Sequence, residues 1–450
     1  MKKNILIATT IIIAMLSIPI AETFSRGTVD GTFGTWDEDM VNSVDTGYTG
    51  KGVYVAVLDT GIAPNWKDYF PEERIAIHLA KGFKEEVTFN PRTRDYVYSG
   101  EVHETSVIGD TGAEHGTHVI STIIGYNYYY SGDQSTAYAL GIYPLPPIYV
   151  RGIAPDATII PVKVLSDYHF THSKYLPPED SPAAVFGTEN AVAAGINYAT
   201  DLAIAGYKPM VISMSLGGPE LTTVEKDAID RAIANGVLVV AAAGNAGEEG
   251  MDYPGAYAPV ISAGAAGWKY EWYWPGHTLP SNEPGFYRNR LWWLQYGTAY
   301  DDIPEPTPAD EVYIASFSSR QLPGQDLDVI APGSWVRGPY AGVPGYSHLP
   351  WWSNGMGATV GRNPGNFYFV GGTSMATPHV TSVVAMMLEK NPSLAQAQAE
   401  NILESTALYI PPGSMSVFDL SPTPDFYNYS WGADATGSGL LQADAAVAAA

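Results

Sequence analysis

The sequence has no cysteine, few basic residues and no long uninterrupted apolar run. Its 450 residues include 0 Cys, which excludes disulfides, thiolate metal sites and a cysteine nucleophile. Lys and Arg together number 23 against 47 for Asp and Glu, so the net charge is −24. A surface this acidic repels phosphate, and we expect no nucleic-acid partner. No segment reaches the roughly eighteen apolar residues of a membrane-spanning helix.

The remaining composition is that of a globular protein. Hydrophobic residues make up 46% and charged residues 16% of the chain. These proportions supply a sizeable core and exclude a disordered chain. The acidic surplus offers the carboxylate oxygens that Ca²⁺ prefers as ligands. We therefore expect a folded protein and name Ca²⁺ as the structural metal that this composition suits. We also predict that the protein is a monomer.

The first 21 residues have the pattern of a secretory signal. Lys2 and Lys3 precede an apolar stretch over 5–20, and Ala21 is a small residue of the kind found at a cleavage position. An uncleaved membrane anchor is the alternative. We predict a signal peptide over 1–21, a flexible Gly/Thr-rich tail over 22–35 and one domain over 36–450. The protein would then be secreted, with no stable membrane insertion after cleavage.

Apolar runs typical of buried strands alternate with helical patterns from residue 50 onward. Strands are predicted at 53–58, 158–164, 211–214, 237–242 and 260–264, and helices at 115–124, 190–205, 223–234, 374–389 and 394–405. This alternation predicts an α/β fold with a mainly parallel sheet covered by helices on both faces. Ligands in such folds bind at the carboxyl ends of the strands. Long segments rich in Pro, Gly and aromatic residues indicate surface insertions at 72–112, 126–150, 167–182, 268–313 and 339–365.

Three short motifs carry an acid, a base and a hydroxyl in one order. Asp59 ends an apolar strand in VAVLDTGI, His115 lies at the start of a helix in EHGTHV, and Ser374 follows a glycine pair in GGTSMATPHV. A serine hydroxyl becomes a nucleophile when an imidazole takes its proton, and a buried carboxylate fixes the tautomer of that imidazole. These residues therefore suit acyl transfer. Pro378 is expected in the first turn of the last helix, where its missing N–H costs little.

A fourth residue completes the chemistry of acyl transfer. Asn245 lies in VVAAAGNAG, directly after another apolar strand. Its side-chain amide, together with the backbone N–H of Ser374, would donate hydrogen bonds to the oxyanion of a tetrahedral intermediate.

Two other interpretations fit these residues less well. The tripeptide Asp-Thr-Gly, typical of aspartic proteases, occurs at Asp45, Asp59 and Asp110. A carboxylate dyad needs one such copy from each lobe of a β-rich fold, and these copies lie too close together in a chain that alternates strands with helices. His118 and His379 have no HExxH pattern around them, so packing within helices is their expected role.

With these motifs the chain resembles the subtilisin-like serine proteases, or subtilases, from about residue 36 to residue 449. Other segments similar to the family are GIAPDATIIPVKVL at 152–165, ISMSLGG at 212–218, YPGAY at 253–257, SFSSR at 316–320, DLDVIAPG at 326–333 and GSGLLQADAAV at 437–447. The resemblance implies a three-layer fold with about seven parallel strands between helices. It also implies endoproteolysis of protein or peptide substrates, with no cofactor required for the chemistry. An exported, catalytically silent binding protein built on the same fold is the alternative function.

The resemblance also implies where the substrate binds. An extended substrate strand would pair with two backbone segments that wall the primary pocket, and an acidic residue would lie at the base of that pocket. The residues concerned are Ser215, Leu216, Gly217, Ala243, Gly244 and, at the base, Asp252. A buried acid requires a charged partner, which predicts Lys or Arg at the cleaved position.

A calcium ligand is implied by one further match. Asp68 lies nine residues after Asp59 and corresponds to the carboxylate that binds structural calcium in many relatives. The loop that supplies the other ligands in those relatives is replaced here by the Tyr-rich segment 125–150. Asp68 is therefore the one Ca²⁺ ligand that the sequence predicts.

Overall fold

The structure is a computed structural model that describes residues 28–29, 32–44, 46–90, 92–93, 95–109, 113–128, 148–169, 183–269, 271, 303, 306–342, 347, 349, 366–419 and 425–450. The predicted signal over 1–21 and large parts of the insertions after residue 126 lie outside this set, so the domain boundaries stay predictions. Among the described residues, no helix is long and apolar enough to cross a membrane.

Strands and helices alternate along the described chain much as the hydrophobic pattern predicts. The strands are β1 (Thr28–Val29), β2 (Thr32–Phe33), β3 (Tyr54–Asp59), β4 (Lys81–Asn90), β5 (Asp95–Thr105), β6 (Gly125–Tyr128), β7 (Ile148–Arg151), β8 (Thr158–Lys163), β9 (Ser166–His169), β10 (Ala183–Phe186), β11 (Met210–Met214), β12 (Leu238–Ala242), β13 (Ile261–Trp268), β14 (Val312–Ile314), β15 (Val329–Pro332), β16 (Val336–Pro339), β17 (Phe367–Val370), β18 (Gly413–Asp419) and β19 (Asp425–Trp431). The helices are α1 (Trp36–Met40), α2 (Ala113–Ile124), α3 (Glu189–Ile204), α4 (Thr223–Ala234), α5 (Thr373–Lys390), α6 (Gln396–Thr406) and α7 (Ala443–Ala449).

The main sheet is parallel over most of its width. Its strand order, in the described part of the chain, is β14-β13-β12-β11-β3-β8-β4-β5, with β15 also paired to β13. Strands β4, β8, β3, β11, β12, β13 and β15 pair in parallel, while β5 and β14 are antiparallel to their neighbours. The prediction of a mainly parallel sheet of about seven strands is confirmed, with two antiparallel strands added to it.

The segment over 72–112 is more than a surface insertion. Its strands β4 and β5 form an antiparallel hairpin, and β4 joins the main sheet beside β8 through the pairs Lys81–Val162 and Gly82–Lys163. Part of this predicted surface insertion thus also extends the main sheet, because β4 supplies backbone donors and acceptors to the edge beside β8. Its apolar content is too sparse to reveal that strand from the sequence.

The two faces of the sheet enter two separate cores. In β3, Val55 and Val57 pack with apolar residues of α2, α5, α6 and α7, whereas Ala56 and Leu58 pack with those of α3 and α4. Full burial of one such side chain contributes roughly 1.5–3 kcal/mol. A strand covered on both faces must therefore be apolar at successive positions, which is the pattern that predicted the three-layer fold.

Candidate active site

Asp59 and His115 meet at the carboxyl end of a central strand. Asp59 is the last residue of β3 and is completely buried. His115 lies in the first turn of α2, and its Nδ1 is 2.8 Å from Oδ1 and 3.1 Å from Oδ2 of Asp59. The backbone N–H of Thr60 donates to Oδ1 of the same carboxylate at 2.6 Å. One carboxylate is therefore held in a fixed orientation against one imidazole.

The approach of α2 to this strand end depends on Gly116. A Cβ atom at Gly116 would lie 2.4 Å from the carbonyl oxygen of Gly61 and 3.2 Å from Oδ1 of Asp59. The 2.4 Å distance to a backbone oxygen is not compatible with a side chain at this position. The backbone N–H of Gly116 also donates to Oγ1 of Thr60 at 2.9 Å. The glycine beside His115 thus allows the contact between the imidazole and the acid.

The electrostatics of the pair favour a protonated imidazole. Burial lowers the pKa of His115, but the charge of Asp59 and the hydrogen bond to it raise that pKa by more, so the net pKa lies above its ordinary value of 6.5. The His115 side chain keeps 23% of its surface exposed while that of Asp59 keeps 0%. The ring is therefore accessible from the solvent side and can accept a proton there.

Ser374 is the second residue of α5, and α5 packs against α2. Its Oγ donates to the backbone carbonyl of Ser215 at 3.3 Å, and not to His115. Hydrogen bonds used in catalysis are often long or poorly aligned without substrate and shorten only in the substrate complex. The structure thus joins Asp59 directly to His115 and places Ser374 on the adjacent helix.

Pro378 lies in the second turn of α5, one turn later than the sequence suggests. Because proline has no N–H, the carbonyl of Ser374, four residues earlier, loses its helical partner. Oγ of Ser215 donates to that carbonyl at 2.7 Å and replaces the lost hydrogen bond. Ser215 therefore contacts Ser374 through both its carbonyl and its hydroxyl, and these two contacts fix the first turn of α5.

Asn245 is held beside the start of α5 by its amide oxygen. Oδ1 of Asn245 accepts from the backbone N–H of Thr373 at 2.9 Å and from Oγ1 of Thr373 at 3.1 Å. Since the oxygen of a planar amide is engaged there, the NH₂ group faces the opposite way. It has no hydrogen-bond partner in the described part of the chain. A donor is thus available next to the backbone N–H of Ser374, which lies at a helix start and has no hydrogen-bond partner among the described residues.

The predicted pocket walls and base come together around Asp252. A Cβ at Gly217 would lie 2.6 Å from Cβ of Asp252, and one at Gly244 would lie 2.6 Å from Oδ2 of Asp252. The Asp252 side chain therefore fills the space that two glycines leave between the walls. The backbone N–H of Asp252 donates to the carbonyl of Ala243 at 2.8 Å. The backbone groups of Leu216 have no hydrogen-bond partner within the described residues, so this edge is open to an added strand.

The Asp252 carboxylate is half-buried. Burial raises its pKa above the ordinary value. Its oxygens form no hydrogen bond or ion pair with the described residues.

The comparison with protein families decides the identity of this fold and site. The Subtilase family profile matches residues 50–424. The chain belongs to the subtilase family. It is therefore a serine-type endopeptidase, as the sequence predicts.

Individual relatives agree with this assignment. This subtilase is 30% identical over 366 residues to subtilisin DY of Bacillus licheniformis, an alignment that covers 80% of this chain and 85% of that protein. It is 29% identical to subtilisin E of Bacillus subtilis strain 168 and covers 62% of that relative's length. The solved structure of sphericase superposes with a TM-score of 0.51 at 24% identity, covering 91% of this chain and 97% of sphericase. The sphericase likeness confirms the fold.

The acidic side chains that could bind a metal ion lie at two places in this subtilase. Asp68 is exposed, and its Oδ2 accepts from the Asn65 amide at 3.3 Å. In the described part of the chain, Asp326, Asp328 and Glu400 form the group of three acids that could hold a metal ion, with ligand atoms all within 4.8 Å of one another. The sequence reasoning missed this group because Glu400 is on α6, more than seventy positions from the other two.

Thr373 and the hydroxyl of Ser215 were also missed from the sequence. Thr373 orients the Asn245 amide, and its Oγ1 accepts from the backbone N–H of Gly244 at 3.2 Å. The sequence did contain a signal for Thr373, because the threonine directly before the serine in GGTSM lies at the first position of a helix. Nothing in the sequence indicated that the Ser215 hydroxyl would compensate for Pro378.

Proposed function

We propose that Ser374 attacks the peptide carbonyl, that His115 takes its proton and passes it to the leaving amine, and that Asp59 orients His115. The observation that carries this proposal is the 2.8 Å contact between His115 Nδ1 and the buried Asp59 carboxylate. An anion on Asp59 stabilises the imidazolium that forms when Ser374 loses its proton. Water then hydrolyses the acyl-enzyme by the same route in reverse.

The oxyanion of the tetrahedral intermediate would be bound by the Asn245 amide and the backbone N–H of Ser374. The engaged amide oxygen of Asn245 supports this role because it directs the NH₂ donor away from Thr373. Such donors act without reorganisation when the negative charge forms. Loss of one costs about 10²–10³ in rate, a value known from subtilisin itself.

A fluorophosphonate probe tests whether the nucleophile is active. We expect wild-type protein to be labelled on the tryptic peptide that contains Ser374 and Ser374→Ala to stay unlabelled. An exported binding protein that kept the fold but lost catalysis would leave both unlabelled.

The primary pocket would select Lys or Arg at the cleaved position. Support comes from the Asp252 carboxylate, which lies between Gly217 and Gly244 and has no cationic partner among the described residues. The charged head of Lys or Arg would pair with it, since a buried charge without a partner is costly.

Replacing Asp252 with Asn should reduce the preference for arginine. We expect the ratio of kcat/KM for matched peptides with Arg and Phe at the cleaved position to fall about 30-fold, corresponding to roughly 2 kcal/mol for a lost partly desolvated charge pair. Glu249→Gln removes an exposed acid three residues away and should leave the ratio unchanged. Faster cleavage of the Phe peptide by wild-type protein would contradict the proposal.

Calcium would stabilise the fold without taking part in the chemistry. Besides Asp68, the group of Asp326, Asp328 and Glu400 fits such an ion, because Oδ1 of Asp328 is buried and has no hydrogen-bond partner within the described part of the chain. All the ligand atoms in this group are carboxylate oxygens, which are the hard ligands that Ca²⁺ prefers.

Removing calcium is therefore expected to lower the melting temperature. EDTA should shift Tm down by about 5 °C relative to 1 mM Ca²⁺, since an ion at many times its Kd adds a few kcal/mol to the free energy of unfolding. Asp328→Asn should abolish the shift if the group of three acids binds the ion, and Asp68→Asn should abolish it if Asp68 does. An unchanged Tm with EDTA would exclude a stabilising metal.

We also propose that the protein is exported through a cleaved signal over 1–21 and acts as a monomer. The basic start and apolar stretch of the sequence support the export. N-terminal sequencing of the protein from the culture medium should begin at Glu22, and retention in the membrane fraction would contradict this.

A further inference from the structure

A second pocket adjoins the backbone wall that follows Ser215. It has a volume of about 250 Å³, and its walls include Leu216, Gly217 and Gly218. Pockets that hold drug-sized molecules measure roughly 300–1,000 Å³, so this one suits a single side chain. Its other described walls come from β10, the start of α3 and the segment leading into α4.

All the charged side chains among the described residues that line this pocket are acidic. Glu189, Glu220 and Glu225 line it, and none of its described lining residues is Lys or Arg. Glu189 and Glu220 are exposed and form no hydrogen bond or ion pair with the described residues. Glu225 is buried to 7% exposure, and its carboxylate accepts from the Thr222 hydroxyl at 3.0 Å as part of the α4 cap. Two carboxylates are thus available to a ligand.

The remaining walls are apolar. They are formed by the side chains of Leu165, Val185, Phe186, Val192, Leu216 and Tyr253. A pocket with apolar walls and unpaired acids matches the side chains of arginine and lysine, which carry a charged head on a hydrocarbon stem. A neutral apolar side chain would contact the walls but leave the carboxylates unpaired.

We propose that this pocket selects a Lys or Arg side chain of the substrate upstream of the cleaved bond. The proposal rests on the function proposed above, in which the cleaved carbonyl lies at Ser374 and the residue that owns it enters the pocket at Asp252. The substrate strand that continues along Leu216 and Gly217, away from Ser374, then belongs to the upstream side, and its pairing ends before Gly218, whose backbone N–H and C=O pair with Tyr253. The subtilase would therefore recognise peptides with two basic residues, one at the cleaved position and one before it.

A peptide series tests the second basic residue. All the quenched fluorescent peptides have the same residue at the cleaved position. The second to fifth positions upstream are tested in turn, each with Arg or with its neutral isostere citrulline. We expect wild-type protein to prefer Arg over citrulline about tenfold in kcat/KM at one of these positions, because two ion pairs at a partly exposed site together contribute of that order. Glu189→Gln/Glu220→Gln should reduce the preference to about twofold, through slower cleavage of the Arg peptide.

A matched double variant separates this pocket from the general acidity of the chain. Glu72 and Glu73 line a different pocket, formed partly by Tyr54 and Thr158 at the opposite ends of β3 and β8. Glu72→Gln/Glu73→Gln removes the same charge and should keep the tenfold preference. An equal loss in both double variants, or no preference in wild-type protein at any position, would overturn the proposal. Absence of cleavage of every peptide would instead contradict the proposed function.

Discussion

Replacing Ser374 with alanine is expected to lower kcat by about 10⁶-fold, the magnitude known for the same loss in subtilisin. The substitution removes only the side-chain hydroxyl. Because that hydroxyl is the nucleophile, no covalent intermediate can form. KM should change little, because the pocket around Asp252 and the open edge at Leu216 do not depend on that hydroxyl. Steady-state kinetics on one cleavable peptide, with a burst-phase measurement, provide the test.

Ser405→Ala is a suitable control for this substitution. Ser405 is an exposed serine on α6, and its loss should leave kcat within a factor of about two. Both variants should keep the wild-type melting temperature. If Ser374→Ala retains more than about a hundredth of wild-type activity, another residue must be the nucleophile.

Replacing Asp59 with asparagine should reduce kcat about 10⁴-fold, the size of effect known for serine proteases of this kind. The Thr60 N–H donates to Oδ1 of Asp59 at 2.6 Å and in the variant keeps the amide oxygen in that position, so the amide nitrogen takes the Oδ2 position, 3.1 Å from Nδ1 of His115. A donor then replaces one of the two acceptors of Nδ1, and the negative charge that stabilises the imidazolium is lost.

The pH profile distinguishes this effect from a loss of stability. Burial lowers the pKa of His115 and the Asp59 charge and hydrogen bond raise it by more, so the pKa lies above 6.5. Only the neutral imidazole is a base, and wild-type kcat/KM should therefore fall as the pH decreases through that raised pKa. Without the Asp59 charge the acid limb should move to lower pH. Asp310→Asn, an exposed substitution, should leave the limb in place; an unshifted limb in Asp59→Asn would show that Asp59 does not interact with His115.

Much of the fold follows from patterns that are local in the sequence. The predicted helix over 223–234 has those bounds in the structure, and the strand ending at Asp59 is found as β3. Burial on both faces of a sheet requires successive apolar residues, so these segments are visible without knowledge of their neighbours. By contrast, β4 was not recognised, because its pairing with β8 depends on backbone groups that have no sequence signature.

Local patterns along the chain were sufficient to predict the fold class, the order of the motif residues and the type of chemistry that they suit. Contacts between distant groups became visible only in the folded protein: the Asn245 oxygen accepts from Thr373, the Ser215 hydroxyl donates to the Ser374 carbonyl, and the acids at 189 and 220 line one pocket. Hydrophobic periodicity indicates whether a position is buried. Which residue a buried side chain contacts depends on the strand order and on the paths of the loops, and these are determined by residues far away in the chain.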